Sequence, residues 1–242
     1  MADEQSNPEK ALAALEESRR ELESLTYTIA HDLRAPLRAI DGFARALSED
    51  CGERLDDDGR RYLQHVLNAA QRMSGMVEGL LSLAQIHRAD FRPTPVDVSS
   101  IARGILDRLR AAEPARTIEV VIPDGITAEA DSALLTTALD ALLQNACKFT
   151  RGRNPARIEV GVRSATTPPV YFVRDNGVGF DMSYAGKLFG PFQRLHSESE
   201  FKGAGIGLAV ASRVIRRHGG RIWAEAAADR GACFNFTLVE GR

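Results

Sequence analysis

The chain has 242 residues, enough for one or two domains, and its 44% hydrophobic and 26% charged side chains are the balance of a soluble globular protein. Its 31 basic and 33 acidic residues leave a formal net charge of −2 with no long block of one sign, which argues against a nucleic-acid partner. Cys51, Cys147 and Cys233 are widely spaced, odd in number and match no metal-ligand spacing, so reduced thiols in a cytoplasmic chain are expected.

No apolar run reaches the roughly 18 residues that a membrane span needs, and Met1 to Lys10 is polar rather than signal-like. The chain is expected to make no membrane contact. If it belongs to a larger receptor, the upstream sensing part lies outside it.

A first helix is predicted from about Pro8 to Leu47. Ala11, Leu15, Ser18, Leu22, Leu25 and Ile29 alternate spacings of four and three, the seam of a coiled coil, and Leu33, Ile40 and Leu47 resume a seven-residue repeat after a four-plus-four step. At about 100° per residue, His31 lies roughly 200° from Ile29 and roughly 160° from Leu33, opposite this stripe and so in solvent. Asp32 follows it, Arg34 shares its face, and Pro36 is expected to bend the helix just past it.

Ser48 to Asp58 should break the helix, and Leu63, Val66, Ala70, Met73, Val77, Leu80 and Ala84 then mark a second one. Two amphipathic helices joined by a short loop form a hairpin without a core of its own. Pairing two hairpins into a four-helix bundle solves that, so a homodimer is expected.

Phe91 to Pro95 reads as a linker with two prolines. Beyond it the pattern is mixed: helices over Ile101 to Leu109, Ser132 to Phe149 and about Ile206 to His218, with short β runs at Thr117 to Ile122, Ile126 to Ala130, Arg157 to Arg163, Val170 to Arg174, Arg221 to Glu225 and Cys233 to Val239. Helices interspersed with mostly antiparallel strands predict an α/β two-layer sandwich.

Three clusters within this half carry chemistry. On the helix Ser132 to Phe149, Leu135, Leu139, Leu142, Ala146 and Phe149 form the expected buried face, while Ala141, Asn145 and Lys148 share another. An amide oxygen can ligate a hard cation and an ammonium a turn away can balance phosphate charge, a pairing suited to Mg²⁺ and a triphosphate. Asp175 to Phe180, D-N-G-V-G-F, directly follows a strand. Its carboxylate can accept from an adenine amine, and Gly177 and Gly179 let the backbone approach a base.

The third cluster, Gly203-Ala204-Gly205-Ile206-Gly207-Leu208, opens a helix and exposes N–H groups at its positive end, a cradle for phosphate. Between the glycine clusters, Phe189 and Phe192 precede a polar stretch from Gln193 to Lys202, expected as a lid with aromatic anchors. His218 before Gly219-Gly220 reads as a helix C-terminal residue, and His65, His87 and His196 have no partner ligands at metal spacing.

The ordered set H-D-L-R-A-P-L, L-L-Q-N-A-C-K-F-T, D-N-G-V-G-F, L-F-G-P-F-Q-R-L-H and G-A-G-I-G-L-A-V resembles the sensor histidine kinases of two-component signalling over nearly the whole chain. The lid wording is similar to kinases attached to phytochrome or PAS sensors. The resemblance implies a coiled-coil signalling helix over 1–28, a dimerisation and phosphoacceptor hairpin over 29–90, a linker over 91–95, and an ATP-binding domain of the gyrase, Hsp90 and histidine kinase type over 96–242.

It further implies His31 as phosphoacceptor with Asp32 as the base that polarises it, Asn145 as the Mg²⁺ ligand and Lys148 on the phosphates. Asp175 would bind the adenine amine beside Gly177 and Gly179, and Gly203, Gly205 and Gly207 would wrap the triphosphate. Phe149 and Leu208 complete the ATP-contacting set, Phe189 and Phe192 would anchor the lid, and Arg194 or Lys202 would reach the γ-phosphate. The implied partner is a response-regulator receiver with an acceptor aspartate.

The chain departs from the family at two positions. Ala141 stands where asparagine is common and where related hydrolases carry a catalytic glutamate; alanine cannot activate water, which favours transfer over hydrolysis. Ala35 stands where many members place Thr or Asn to orient the water that dephosphorylates the partner, so weak phosphatase activity is expected. A dimeric nucleotide-binding scaffold without transfer, or a gyrase-type ATP-hydrolysing clamp, are the alternative readings.

Overall fold

In a computed structural model, residues 6–88, 90–196, 200–201 and 203–238 are described. Lys202 and Val239, which figure in the expectations above, lie outside the described residues, as does the side chain of His87. The chain divides into two units, one ending at Gln85 and one beginning at Ile86.

The first unit is a helical hairpin of α1 (Ser6–Cys51) and α2 (Asp57–Arg88), joined by a 3-10 turn at Gly52–Arg54. The break is shorter than expected because α1 continues past Leu47 to Cys51 and runs as one element through Pro36. Asp56 starts α2 by accepting from the Gly59 N–H at 2.7 Å, and the carboxylates of Asp57 and Asp58 sit in its first turn, where the helix dipole favours them.

The seam that joins α1 to α2 is not the stripe the heptads predict. Ala30, Leu37 and Ala44, themselves seven apart, are buried, and Ala30 and Leu37 pack with Val77 and Leu81 of α2, flanked by Tyr27 and Leu80. Leu25 and Ile29 stay 59% exposed and Leu33 and Ile40 45% exposed, with Val66 and Met73 of α2 exposed as well. Each helix thus carries two apolar stripes, one spent within the hairpin and one presented outward.

In the second unit, β1 (Thr94–Asp97) pairs antiparallel with β3 (Thr127–Ala130) as a small separate sheet. Thr94 and Pro95, read from sequence as linker, therefore belong to a strand, and a proline is tolerated there because β1 has a neighbour on one side only. The main sheet has the order β2-β4-β5-β7-β6, with β2 (Ile118–Val121), β4 (Ala156–Arg163), β5 (Val170–Asp175), β6 (Ile222–Ala226) and β7 (Ala232–Thr237). Only β2 and β4 run parallel.

Against this sheet pack α4 (Ser132–Phe149) and α5 (Gly207–Arg217), with α3 (Val98–Ala112) beside α4. Leu135, Leu139, Leu142 and Leu143 of α4, Val214 and Ile215 of α5, and Ile158, Val160, Val173 and Phe236 of the strands are almost wholly buried, forming the core of a two-layer α/β sandwich. Helix α4 is fixed at both ends. Asp131 accepts from the Leu134 N–H at its start, and Arg116 donates to the carbonyl of Cys147 and to the Thr150 hydroxyl at its end.

Candidate functional site

In the hairpin unit, the His31 side chain is 61% exposed and its Nδ1 lies 3.2 Å from Oδ1 of Asp32. With the carboxylate accepting from Nδ1–H, the Nε2 lone pair is left outward. The ring stacks loosely on Tyr27, centroids 6.3 Å apart. The predicted exposure stands, but its reason changes: His31 flanks the buried Ala30-Leu37-Ala44 seam by about 100° rather than facing directly away from it.

In the second unit, Asp175 closes β5 and is only 6% exposed. Its Oδ1 accepts from the Gly177 N–H at 2.8 Å, yet burial outweighs that help and pushes the carboxyl up to about 6. The glycines beside it are sterically required. A Cβ on Gly177 would lie 2.6 Å from the Phe149 carbonyl oxygen, and Gly179, with φ of 60°, would meet the Ala227 oxygen at 2.0 Å. The Val178 N–H donates to the same Phe149 carbonyl, tying the glycine loop to the end of α4.

Lys148 and Asn145 sit half-buried on α4. The Lys148 ammonium lies 4.3 Å from the centre of the Phe149 ring, and burial, aided by the charges of Arg194 and Arg151, lowers it to about 8. It is 3.3 Å from the point where a side chain on Gly203 would start. Asn145 makes no side-chain hydrogen bond among the described residues. Neither does any cluster of three or more His, Cys, Asp or Glu suited to a metal occur there.

Helix α5 begins without a side-chain cap and without an acidic residue in its first turn, so its leading N–H groups have no built-in anion. Gly203 and Gly205 take φ of 147° and 71°, and a Cβ on Gly205 would lie 2.8 Å from the Gln193 carbonyl oxygen. Ala141 of α4 packs at 3.7 Å from the position of a Cβ on Gly207, which is how the two helices come close at this end. A buried carboxylate, a cation, a glycine loop and an uncapped helix start therefore converge on one side of α4.

Two sequence families match the chain. The family described as His Kinase A (phospho-acceptor) domain matches residues 9–89, and that described as Histidine kinase-, DNA gyrase B-, and HSP90-like ATPase matches residues 130–242. Cyanobacterial phytochrome B of Nostoc sp. is 34% identical over 229 residues, which are 93% of this chain and 30% of the relative. The methanogenesis regulatory histidine kinase FilI of Methanothrix harundinacea is 35% identical over 231 residues, 95% of this chain and 26% of the relative.

The chain carries the two domains of a sensor histidine kinase catalytic core. It spans less than a third of the length of these two relatives. A solved structure, full-length ShkA in complex with AMPPNP, is similar in fold, with a TM-score of 0.61 and 24% identity over 89% of this chain and 45% of that one. No described helix of the kinase core is long and apolar enough to cross a membrane.

The lid differs from its sequence reading. Phe192 is 42% exposed with φ of 63° and pairs with no other ring among the described residues, and Phe189 is half-buried beside the buried Leu188. The packed rings are instead Phe149, His196 and Phe201, whose centroids lie 4.9 to 5.4 Å apart. His196 Nε2 also lies 3.0 Å from the Gly179 carbonyl oxygen. Phe149, expected in the buried face of α4, is half-buried because its ring turns to this cluster.

Arg194 donates to the carbonyls of Gly203 and Phe201, both at 2.8 Å, so it braces the lid rather than extending as a free cation. Leu208 sits half-buried in the first turn of α5. Sequence reasoning missed His196, Phe201 and Arg153, the last of which donates to the carbonyls of Gly177 and Asp229 and steadies the glycine loop. It also missed Gly231, where a Cβ would lie 2.0 Å from the Asp175 carbonyl oxygen.

Proposed function

We propose that this kinase core binds ATP in its second unit, phosphorylates His31, and passes the phosphoryl group to an aspartate of a response-regulator receiver. The observation that carries the reading is the exposed His31 imidazole with its Nδ1 on Asp32. In the step, Nε2 attacks the γ-phosphorus and the bond to the β,γ-bridging oxygen breaks. ADP leaves, and the Nδ1 proton passes to Asp32.

The adenine amine donates to Asp175, and Gly177 and Gly179 admit the base. Gly203, Gly205, Gly207 and Leu208 lead the N–H groups that take the phosphates, with Lys148 as counter-charge. Phe149 closes one wall, the lid residues Phe189, Phe192 and Arg194 border the mouth, and Lys202 would reach the γ-phosphate. Asn145 would hold Mg²⁺: its amide oxygen is uncommitted among the described residues, where no group of three or more His, Cys, Asp or Glu could hold the ion alone, so its other ligands would come from phosphate and water. When bound, the ion neutralises phosphate charge.

The outward stripe of the hairpin, Leu25, Ile29, Leu33 and Ile40 with Val66 and Met73, is covered by a second copy in a homodimer. The signalling helix runs to residue 28 and the phosphoacceptor hairpin from 29 to 90. With β1 assigned to the ATP-binding unit, the connection shortens to 91–93. The chain works in the cytoplasm, joined to a sensor domain. Ala141 offers no water base, so phosphoryl transfer dominates hydrolysis.

A comparison of wild type with His31→Gln and Asn145→Ala, using γ-labelled ATP, tests this reading. Wild type gains acid-labile label, while both variants lose it and remain dimeric. Turnover of ATP that persists in His31→Gln without any labelling of wild type would mark a hydrolysing clamp, and nucleotide binding with neither would mark a scaffold.

A further inference from the structure

The buried imidazole of His218 has a role that the ATP-binding reading leaves unassigned. Its Nδ1 lies 2.9 Å from the Val214 carbonyl and so carries the proton, and its Nε2 accepts from the Asp131 N–H at 3.0 Å. That pair of bonds fixes one neutral tautomer. Burial lowers its basicity, which keeps it neutral.

Through these bonds His218, the C-terminal cap of α5, is tied to Asp131, the N-terminal cap of α4. The same knot grips the segment that leads in from the hairpin. Phe91 packs edge-on against His218 with centroids 4.9 Å apart, Arg217 lies over the Phe91 ring at 5.6 Å, and the Arg92 N–H donates to Oδ2 of Asp131 at 3.1 Å. Asp131 thereby divides its carboxylate between the linker and the first turn of α4.

The far ends of these two helices are the nucleotide ends. Helix α4 carries Asn145, Lys148 and Phe149 near its C-terminus, and α5 begins at the glycine loop, with Ala141 lying 3.7 Å from where a Cβ on Gly207 would sit. At 18 and 11 residues, the helices are rods of about 27 and about 16 Å. One end of the pair holds the phosphates and the other holds the linker.

We propose that His218 is a positioning residue for phosphoryl transfer: with Phe91 and Asp131 it clamps the linker to the ends of α4 and α5 opposite the nucleotide, and so sets where the bound γ-phosphate is delivered. The inference rests on the ATP reading above. A frayed clamp lengthens and loosens the tether, which lowers the fraction of docked, aligned encounters with His31 while leaving the nucleotide contacts in place.

The test uses the full chain with Phe91→Ala, Phe91→Tyr and His218→Gln, measuring affinity for a fluorescent non-hydrolysable ATP analogue and the autophosphorylation rate at saturating ATP. Phe91→Ala and His218→Gln are expected to hold the analogue within about twofold of wild type and to label about tenfold more slowly, with Phe91→Tyr restoring the rate. A Phe91→Ala chain that labels as fast as wild type overturns the inference alone, as does a slower rate that merely follows weakened nucleotide binding. A wild-type chain that binds the analogue but forms no phosphohistidine overturns the kinase reading and this inference with it.

Discussion

The backbone N–H of Gly177 donates to Oδ1 of Asp175 at 2.8 Å, and the carboxyl still sits near 6 because it is buried at the end of β5. Asp175 accepts most strongly from an adenine amine when ionised, and Lys148, held near 8, must be protonated to meet phosphate as a cation. Affinity for ATP is therefore expected to be greatest between about 6 and about 8, weakening as pH falls through the first value and as it rises through the second. Fluorescence titration across that range checks it, and a flat profile would contradict the assignment of both groups.

Asp175 also bears on stability. A folded-state value raised from 3.8 to about 6 means that the native protein holds an extra proton between those values, so its contribution is full below 3.8 and is lost as pH rises through about 6. At neutral pH the ionised carboxylate is a burden on the fold. Asp175→Asn is expected to raise thermal stability at pH 7, by about 1–3 kcal/mol, while sharply weakening ATP binding. Loss of both stability and binding would show that Asp175 is a structural anchor instead.

The His196 contacts to Gly179, Phe149 and Phe201 hold the lid against the glycine loop. One hydrogen bond and two ring contacts amount to about 1–2 kcal/mol, so His196→Ala should speed amide exchange of the lid in nucleotide-free protein by roughly tenfold. Exchange rates identical to wild type would mean that the cluster does not restrain the lid.

Ala35 is exposed one turn after His31 and its methyl can neither donate to nor accept from a water. Decay of the phosphorylated receiver is expected to be slow with wild type and faster by about tenfold or more with Ala35→Thr. Equal, rapid decay with both proteins would dispose of this expectation.

The nucleotide half was the more legible part of the sequence, because Asp175, Gly177, Gly179 and the Gly203 to Gly207 loop are local motifs whose spacing carries their geometry. The hairpin was legible in its helices but not in its packing. Leu and Ile dominate any hydrophobic pattern, whereas the seam within the chain is built on Ala30 and Ala44 around Leu37, residues chosen for close approach rather than bulk. Strand β1 was hidden by Pro95, which is acceptable only because the strand is an edge.

His218 and His196 defeated sequence reasoning for another reason. Their partners, Asp131 and Phe91 for one and Gly179 and Phe149 for the other, come from distant parts of the chain and form no pattern along it. Phe192 erred in the opposite direction. An aromatic in a polar stretch reads as an anchor, yet a left-handed backbone turns this one outward and leaves Phe201 to pack.

The central claim is that the exposed imidazole of His31 receives the γ-phosphoryl of bound ATP. Incubation of the purified chain with ATP and Mg²⁺, followed by peptide mapping of the modified residue under alkaline conditions, addresses it most directly. Phosphohistidine is expected at His31 and nowhere else. Nucleotide binding without a phosphoryl group on His31, or with one on another residue, would contradict it.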